Sequence, residues 1–241
     1  LAGGVGGLQG TLAGYAAVDA DLLAHKPKTL SMRESAALPL VSITAWEGLV
    51  DRARTAAGHQ VLVHGGAGGV GSIAIQMARA LGAAVFTTVK PAQFDVVRAL
   101  GATPIDHTLS TPADYVREFT ADEGFDVVYD TVGGATLDAS FVSVRRYTGH
   151  VVSALGWGTH ALAPLSFRGA TYSGVFTLMP MLSGKGRAHH GDILARVAEW
   201  VDAGRLHPLV DDQRFTLDRA SEAHARMASG RAVGKVVVDV A

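Results

Sequence analysis

The apolar positions of this chain switch repeatedly between a period of two and one near four. Gln60-Val61-Leu62-Val63-His64 is a short run rich in β-branched residues, which predicts a buried strand. After a glycine turn, Ile73, Met77 and Leu81 recur every four residues, with Ala74 and Ala78 beside them. That spacing predicts a helix over residues 72–81 with one apolar face, stopped by Gly82 as a left-handed cap. The alternation continues, with strands predicted at 84–88, 103–106, 125–129 and 150–154 and helices at 91–100, 111–119 and 135–144. Pro91 and Pro112 sit near helix starts, Asp114 falls in a first turn and Gly101 follows a helix end. Residues 171–176 predict a sixth strand. Strands interleaved with helices of this length specify an α/β fold with a parallel, doubly wound sheet of the Rossmann type.

The two ends follow another pattern. Residues 11–25 predict one or two strands without a crossover helix, and a helix begins near Ser31. Residues 193–201 form a strongly amphipathic helix, and residues 233–240 read as a final strand. These ends are expected to form a second domain that the chain leaves and later re-enters. The opening Leu1-Ala2-Gly3-Gly4-Val5-Gly6-Gly7 has no charged stretch with an apolar one behind it, so it is not a signal peptide. It reads as the middle of a longer chain, with an N-terminal portion expected before it.

Composition narrows the function. Lys+Arg 21 against Asp+Glu 22 leaves a net charge of −1, without the basic footprint of a nucleic-acid or anionic-membrane binder. The absence of cysteine excludes a disulfide framework, a thiolate nucleophile and a Cys-ligated metal, and it suits a cytoplasmic setting. No apolar run reaches the length needed to span a membrane. The 29 glycines are far above ordinary usage and direct attention to where they cluster.

They cluster in Gly66-Ala67-Gly68-Gly69-Val70-Gly71, which fits G-x-G-x-x-G between a predicted strand and a predicted helix. In that context Gly66 permits the tight turn, Gly68 lets backbone approach a pyrophosphate, and Gly71 allows helix to pack closely on strand. The helix N-terminus offers unpaired N–H groups and partial positive charge to phosphates. A P-loop does not fit, because no Lys-Ser/Thr pair follows at the required spacing. A carboxylate about 20 residues after the first glycine would hold the ribose 2′-hydroxyl of NAD. The window reads Phe86-Thr87-Thr88-Val89-Lys90 instead, and Thr88 with Lys90 would attract a 2′-phosphate, so the expected cofactor is NADP(H).

Other chemistries drop out. No tyrosine has a lysine four residues later, as a short-chain dehydrogenase needs, and no Gly-x-Ser-x-Gly elbow exists. His189-His190 with Asp192 is expected to cap a helix start at the surface rather than bind metal, since adjacent histidines do not share a helical face. His64, at the end of the first strand, either approaches the cofactor or fills space.

Ala36-Ala37-Leu38-Pro39, Thr44-Ala45-Trp46, the run from Val61 to Gly71, Leu100-Gly101-Ala102, the run from Asp126 to Gly134, and Gly234-Lys235-Val236-Val237 together resemble the medium-chain dehydrogenase/reductase superfamily. The nearer resemblance is to its zinc-free quinone oxidoreductase (zeta-crystallin-like) branch. The resemblance implies a GroES-like, β-rich catalytic domain, of which residues 1–38 are the C-terminal part. A Rossmann domain would cover residues 39–186, and residues 187–241 would return to the catalytic domain. It matches Gly66 to Gly71 to the phosphate loop, Thr88 and Lys90 to the 2′-phosphate region, and His107 to a position that stacks near adenine. Thr131 and Val132 match the loop beside the nicotinamide ribose. Leu155, Gly156, Trp157, Phe176, Thr177 and Thr44 match the nicotinamide surroundings, and Arg231 matches a further 2′-phosphate ligand. The zinc-ligand position of related alcohol dehydrogenases carries Leu40, so a zinc-free member is expected, with no metal site.

Without zinc, the expected reaction is hydride transfer from NADPH to an acceptor that is already electrophilic, a quinone or an α,β-unsaturated carbonyl. Two other readings stand beside it: an NADP(H)-binding protein with a structural or sensing role and little turnover, and an enoyl-reductase module of a larger synthase. Residues 169–176 carry no charge and no proline, which leaves an edge strand open to pairing. The resemblance implies a homodimer through that strand.

Overall fold

The computed structural model describes residues 7 and 9–240, so the glycine-rich opening at residues 1–6 lies outside the described residues. The chain divides into two compact units, Thr44–Phe176 and Leu1–Ile43 with Thr177–Ala241. The sequence-based boundaries at 38/39 and 186/187 compare with divisions at 43/44 and 176/177.

In chain order the regular elements begin with α1 (Met32–Ala36) and α2 (Pro39–Trp46), the latter running into a π-helical turn at Glu47–Arg52. There follow β1 (Gln60–His64), α3 (Gly69–Ala80), β2 (Ala84–Val89), a 3-10 turn at Pro91–Gln93 with α4 (Phe94–Ala99), and β3 (Thr103–Asp106). Next come α5 (Pro112–Thr120), β4 (Val127–Asp130), α6 (Ala135–Ser143), β5 (His150–Ser153), α7 (Ala163–Ser166) and β6 (Thr171–Gly174). The remainder is α8 (Met179–Ser183), α9 (Arg187–Asp202), β7 (Phe215–Thr216), α10 (Ala220–Ala228) and β8 (Val238–Asp239).

The larger unit is a six-stranded, all-parallel sheet in the order β3-β2-β1-β4-β5-β6. Its central strands β1 and β4 are buried on both faces, which is why they read as continuous apolar runs instead of alternating ones. Leu62, Val128 and Val151 pack on one face against Tyr115 and Val116 of α5 and Leu137 and Phe141 of α6. Helix α3 buries eight consecutive residues from Gly71 to Ala78. Local signals set the helix ends: Thr111 and Asp114 form a reciprocal capping box at α5, and Gly82 and Gly101 take positive φ beyond α3 and α4. Strand β6 is an edge, paired only with β5 and largely exposed.

The smaller unit departs from expectation. Residues 11–25 form no strand; they run through bends into a 3-10 turn at Ala20–Leu22, capped by the Asp19 carboxylate. The strand expected at 233–240 reduces to β8, paired with β7, and a bridge between Val210 and Lys235. A run of valines becomes strand only where a partner backbone lies alongside. Among the described residues, the strand pairing of this unit amounts to this short pair and the bridge. Helix α1 carries the Ser31–Glu34 capping box, and Arg33 pairs with Asp239 at 2.8 Å. No described helix is long and apolar enough to cross a membrane.

Candidate dinucleotide site

The glycine loop joins β1 to α3, and helix formation starts inside the motif, at Gly69. The left-handed residue of the turn is Gly65 (φ +77°), one position before the motif, and not Gly66 as the motif alone implied. Gly66 is required for a different reason: a Cβ there would overlap the Thr87 hydroxyl and meet Ile75 Cδ1 at 2.7 Å. Gly71 lies against the turn itself, where a Cβ would overlap the Gly65 carbonyl oxygen and approach Gly66 Cα to 2.8 Å. Gly68 is exposed, and a Cβ there would meet only the Gly65 carbonyl oxygen at 3.3 Å. Ala67 is buried beneath the loop, and Val70 is half-buried in the first turn of α3. No side chain caps α3, so its first N–H groups point out beside an uncluttered Gly68. This cradle fits a pyrophosphate.

Residues at or next to the ends of four neighbouring strands form a buried polar row. Register pairs Thr88 of β2 with His64 of β1, His64 with Asp130 of β4, and Asp130 with Ser153 of β5. His64 Nδ1 and Thr88 Oγ1 are hydrogen-bonded at 2.8 Å, and Ser153 Oγ donates to Asp130 at 2.7 Å. The Asp130 carboxylate also accepts from the Val132 and Gly133 N–H groups, fixing the loop after β4. Burial pulls the His64 pKa down to about 4, with His107 adding to the effect and Asp130 opposing it, so the ring is neutral at pH 7. The His64 carbonyl accepts from Thr131 Oγ1 at 2.6 Å, and the Gly65 N–H donates to the Thr88 carbonyl at 3.1 Å. The peptide unit between His64 and Gly65 thus ties the loop after β4 to the end of β2.

Thr88 is itself buried, while Lys90 just beyond β2 is exposed. His107 is exposed in the turn after β3, a turn closed by Asp106 accepting from the Thr108 N–H and hydroxyl. Val132 is exposed and Thr131 half-buried. After β5, Leu155, Gly156 and Trp157 form an exposed loop, and Trp157 meets Phe176 edge to face at 5.7 Å. That loop is pinned by His160, whose Nδ1 faces Asp138 Oδ1 at 2.8 Å and whose Nε2 faces the Trp157 carbonyl at 3.2 Å. Both neighbours are acceptors, which holds the His160 pKa above its ordinary value. Thr44 is buried in α2, where its carbonyl accepts from the Tyr129 hydroxyl at 2.7 Å.

Two expected site residues, Thr177 and Arg231, belong to the smaller unit. Arg231 is exposed and bonds through Nε to Ser229 Oγ. Thr177 lines a cavity of about 420 Å³ together with Leu40, Ile43, Met181, His190 and Leu194. His190 is a correction: it is buried inside α9, which starts at Arg187, and does not cap it. No group of three or more His, Cys, Asp or Glu side chains among the described residues could hold a metal ion. The sequence left the role of His64 open and passed over Asp130 and Ser153, although each ends a β-branched run with a polar residue.

Residues 100–238 match the family described as zinc-binding dehydrogenase. The NADPH-dependent alkenal/one oxidoreductase of Arabidopsis thaliana is 35% identical over 95% of this chain and 53% of its own length. A spectinabilin polyketide synthase protein of Streptomyces orinoci is 36% identical over 95% of this chain but 10% of its own length. A crystal structure of an alcohol dehydrogenase superfamily protein from Novosphingobium aromaticivorans superposes with a TM-score of 0.96 at 54% identity, covering all of this chain and 74% of that one. The chain spans about half the length of the plant reductase it matches. With a sheet, glycine loop and strand order of this kind, the chain belongs to the zinc-binding dehydrogenase family, within the medium-chain dehydrogenase/reductase superfamily.

Proposed function

We propose that this chain forms the dinucleotide-binding part of an NADPH-dependent reductase that delivers hydride to a conjugated carbonyl or quinone. The observation that carries the reading is the uncapped N-terminus of α3 behind an exposed Gly68, with Thr88 and Lys90 and no carboxylate at the end of β2. The names of the plant and polyketide synthase relatives support it. When bound, the dihydronicotinamide supplies the hydride. The N–H groups of Gly69, Val70 and Gly71 would hold the pyrophosphate, and Lys90 with Thr88 the 2′-phosphate. His107 would lie along the adenine. Thr131 and Val132, on a loop made rigid by Asp130, would position the nicotinamide ribose. Thr44, Leu155, Gly156, Trp157, Phe176 and Thr177 would surround the nicotinamide, with the Trp157–Phe176 pair keeping water out.

Conjugation spreads the developing negative charge onto oxygen, so the acceptor needs no zinc, and Leu40 offers only methyl groups at the position where related enzymes bind it. The similarity to a polyketide synthase favours one further acceptor class, enoyl thioesters. The setting is the cytosol, and the working form is a homodimer in which β6 pairs antiparallel with its twofold mate.

The test is a fluorescence titration of the full-length protein with NADPH and NADH, followed by NADPH consumption against a panel of enones, quinones and enoyl thioesters. Tighter NADPH binding and turnover of at least one class are expected, and Lys90→Glu should weaken NADPH much more than NADH. Equal or tighter NADH binding overturns the cofactor assignment. Binding without turnover across the whole panel leaves a binding protein instead of an enzyme.

A further inference from the structure

Dinucleotide binding does not account for the cavity of about 420 Å³ inside the smaller unit. Its walls are mainly aliphatic: Leu22 and Leu23 at the end of the 3-10 turn, Leu40 and Ile43 of α2, Met181 of α8 and Leu194 of α9. The volume falls within the range of small-molecule sites, roughly 300–1,000 Å³. The walls are tied to one another. Arg187, the first residue of α9, donates to the Asp19 carboxylate at 2.7 Å and to the Pro180 and Met181 carbonyls, which joins the turn, α8 and α9. Gly191 of α9 lies so close to the turn that a Cβ there would come to 2.5 Å from the Asp21 carbonyl oxygen.

The same bonds govern what the cavity can take. Apart from His190, the acidic and basic side chains among its described lining residues are Asp19 and Arg187, and these two pair with each other. A carboxylate or phosphate would find Arg187 already engaged, and an ammonium would find Asp19 so, while either gave up its hydration. A neutral aliphatic chain forfeits no hydration of that kind and gains by leaving water. Leu23 and Leu40, 57% and 41% exposed, are open to it. Two other lining residues mark where the chain passes between the units: Ile43 is bonded to Thr44, and Thr177 to Phe176. Thr44 and Phe176 both belong to the proposed nicotinamide surroundings, so the cavity is tethered to that site by peptide bonds at two separate points of the chain.

We propose that this cavity holds the hydrocarbon chain of the acceptor, so that the substrate is a conjugated carbonyl carrying a neutral alkyl or alkenyl tail, in preference to a compact quinone or a charged enone. The inference rests on the reductase reading above and narrows its acceptor. The full-length protein with NADPH is assayed against the trans-2-alkenals from but-2-enal to dec-2-enal. Each methylene that enters the cavity should raise kcat/KM about threefold to fourfold, until the cavity is filled. The gain should appear in KM with kcat nearly constant, because the tail contributes equally to ground and transition states. Leu23→Asn and Leu40→Asn place an amide of similar size at exposed positions, where folding tolerates it, and each should reduce the gain per methylene.

Binding can also be read without turnover. The 1-alkanols from 1-butanol to 1-octanol have no conjugated bond to accept hydride, and calorimetry on the cofactor-free protein should show affinity rising along the series with a negative heat-capacity change. Turnover of enones with no dependence on chain length overturns the proposal and leaves the reductase reading intact. So does alkanol affinity that stays flat, the result expected if another part of the full-length chain fills the cavity. A wild-type gain per methylene in both variants puts the tail elsewhere and overturns the proposal as well. If no enone, quinone or enoyl thioester is turned over, the reductase reading falls and this inference falls with it.

Discussion

Acid should destabilise the larger unit through His64. In the unfolded chain this imidazole takes a proton near its ordinary pKa of 6.5, whereas burial in the fold holds it to about 4. A base with a depressed folded pKa contributes its full stability above the unfolded value and loses it as pH falls toward the folded one. The difference corresponds to about 3 kcal/mol, lost between about pH 6 and pH 4.5. That is a large share of the 5–15 kcal/mol or so that typically holds a domain together. His150, half-buried with its pKa also lowered by desolvation, adds a loss of the same sign, and His160, with a raised pKa, works the other way. The His64 contribution must therefore be isolated by difference. Urea unfolding of wild type and His64→Gln at a series of pH values gives it, and the slope should flatten in the variant across that window. The Cε1–H resonance of His64 followed by NMR provides a check that needs no substitution. A titration midpoint near 6.5, or equal slopes in the two proteins, would refute the reasoning.

Four further outcomes follow from the same geometry. Gly71→Ala should cost about 1–3 kcal/mol, because the Cβ meets backbone atoms of the turn that cannot swing aside, and thermal unfolding will register it. Gly68→Ala should leave the melting temperature nearly unchanged, since its only close neighbour is a carbonyl oxygen at 3.3 Å, yet calorimetry should show dinucleotide affinity reduced tenfold or more. His160, held as a double donor by Asp138 and Trp157, should release the 155–160 loop as pH rises through its raised pKa; hydrogen exchange in that loop should accelerate with pH beyond the intrinsic rate, and His160→Gln should remove the excess. The edge of β6 can be probed by Gly174→Pro. The Thr171 and Val175 N–H groups already bond inward to β5, so an outward-facing donor lies at Gly174, and light scattering should show the variant shifted from dimer toward monomer. Wild type at monomer mass would end the edge-pairing idea.

What the sequence disclosed and what it withheld divide along one physical line. The six strands of the larger unit and the helices α3 to α6 are legible because their causes are local: β-branched runs, four-residue apolar spacing, prolines at helix starts and glycines just past helix ends. Helix α7 and the turn at Glu47–Arg52 carry no such signal. Residues 11–25 and 233–240 were misread because a strand is a relation to a partner, and periodicity cannot say whether one is present. The turn into α3 shows a subtler limit. Gly65 and Gly66 are adjacent, either could have carried the left-handed conformation, and only the backbone assigns it to Gly65. The polar row is of a third kind. Thr88, His64, Asp130 and Ser153 lie far apart in sequence, and nothing local marks them as neighbours. Yet right-handed crossovers fix the strand order, each of these residues stands at or next to the end of its strand, and parallel strands in register bring ends together on one face. Writing the strands in spatial rather than chain order would have set His64 beside Thr88 before any coordinates existed. In a doubly wound sheet the crevice opens where the order reverses, here between β1 and β4, and His64 ends β1 beside that switch point. An imidazole at that position, buried at the end of a strand whose interior is Val61, Leu62 and Val63, costs stability at low pH, and a structural role alone gives no reason to accept that cost.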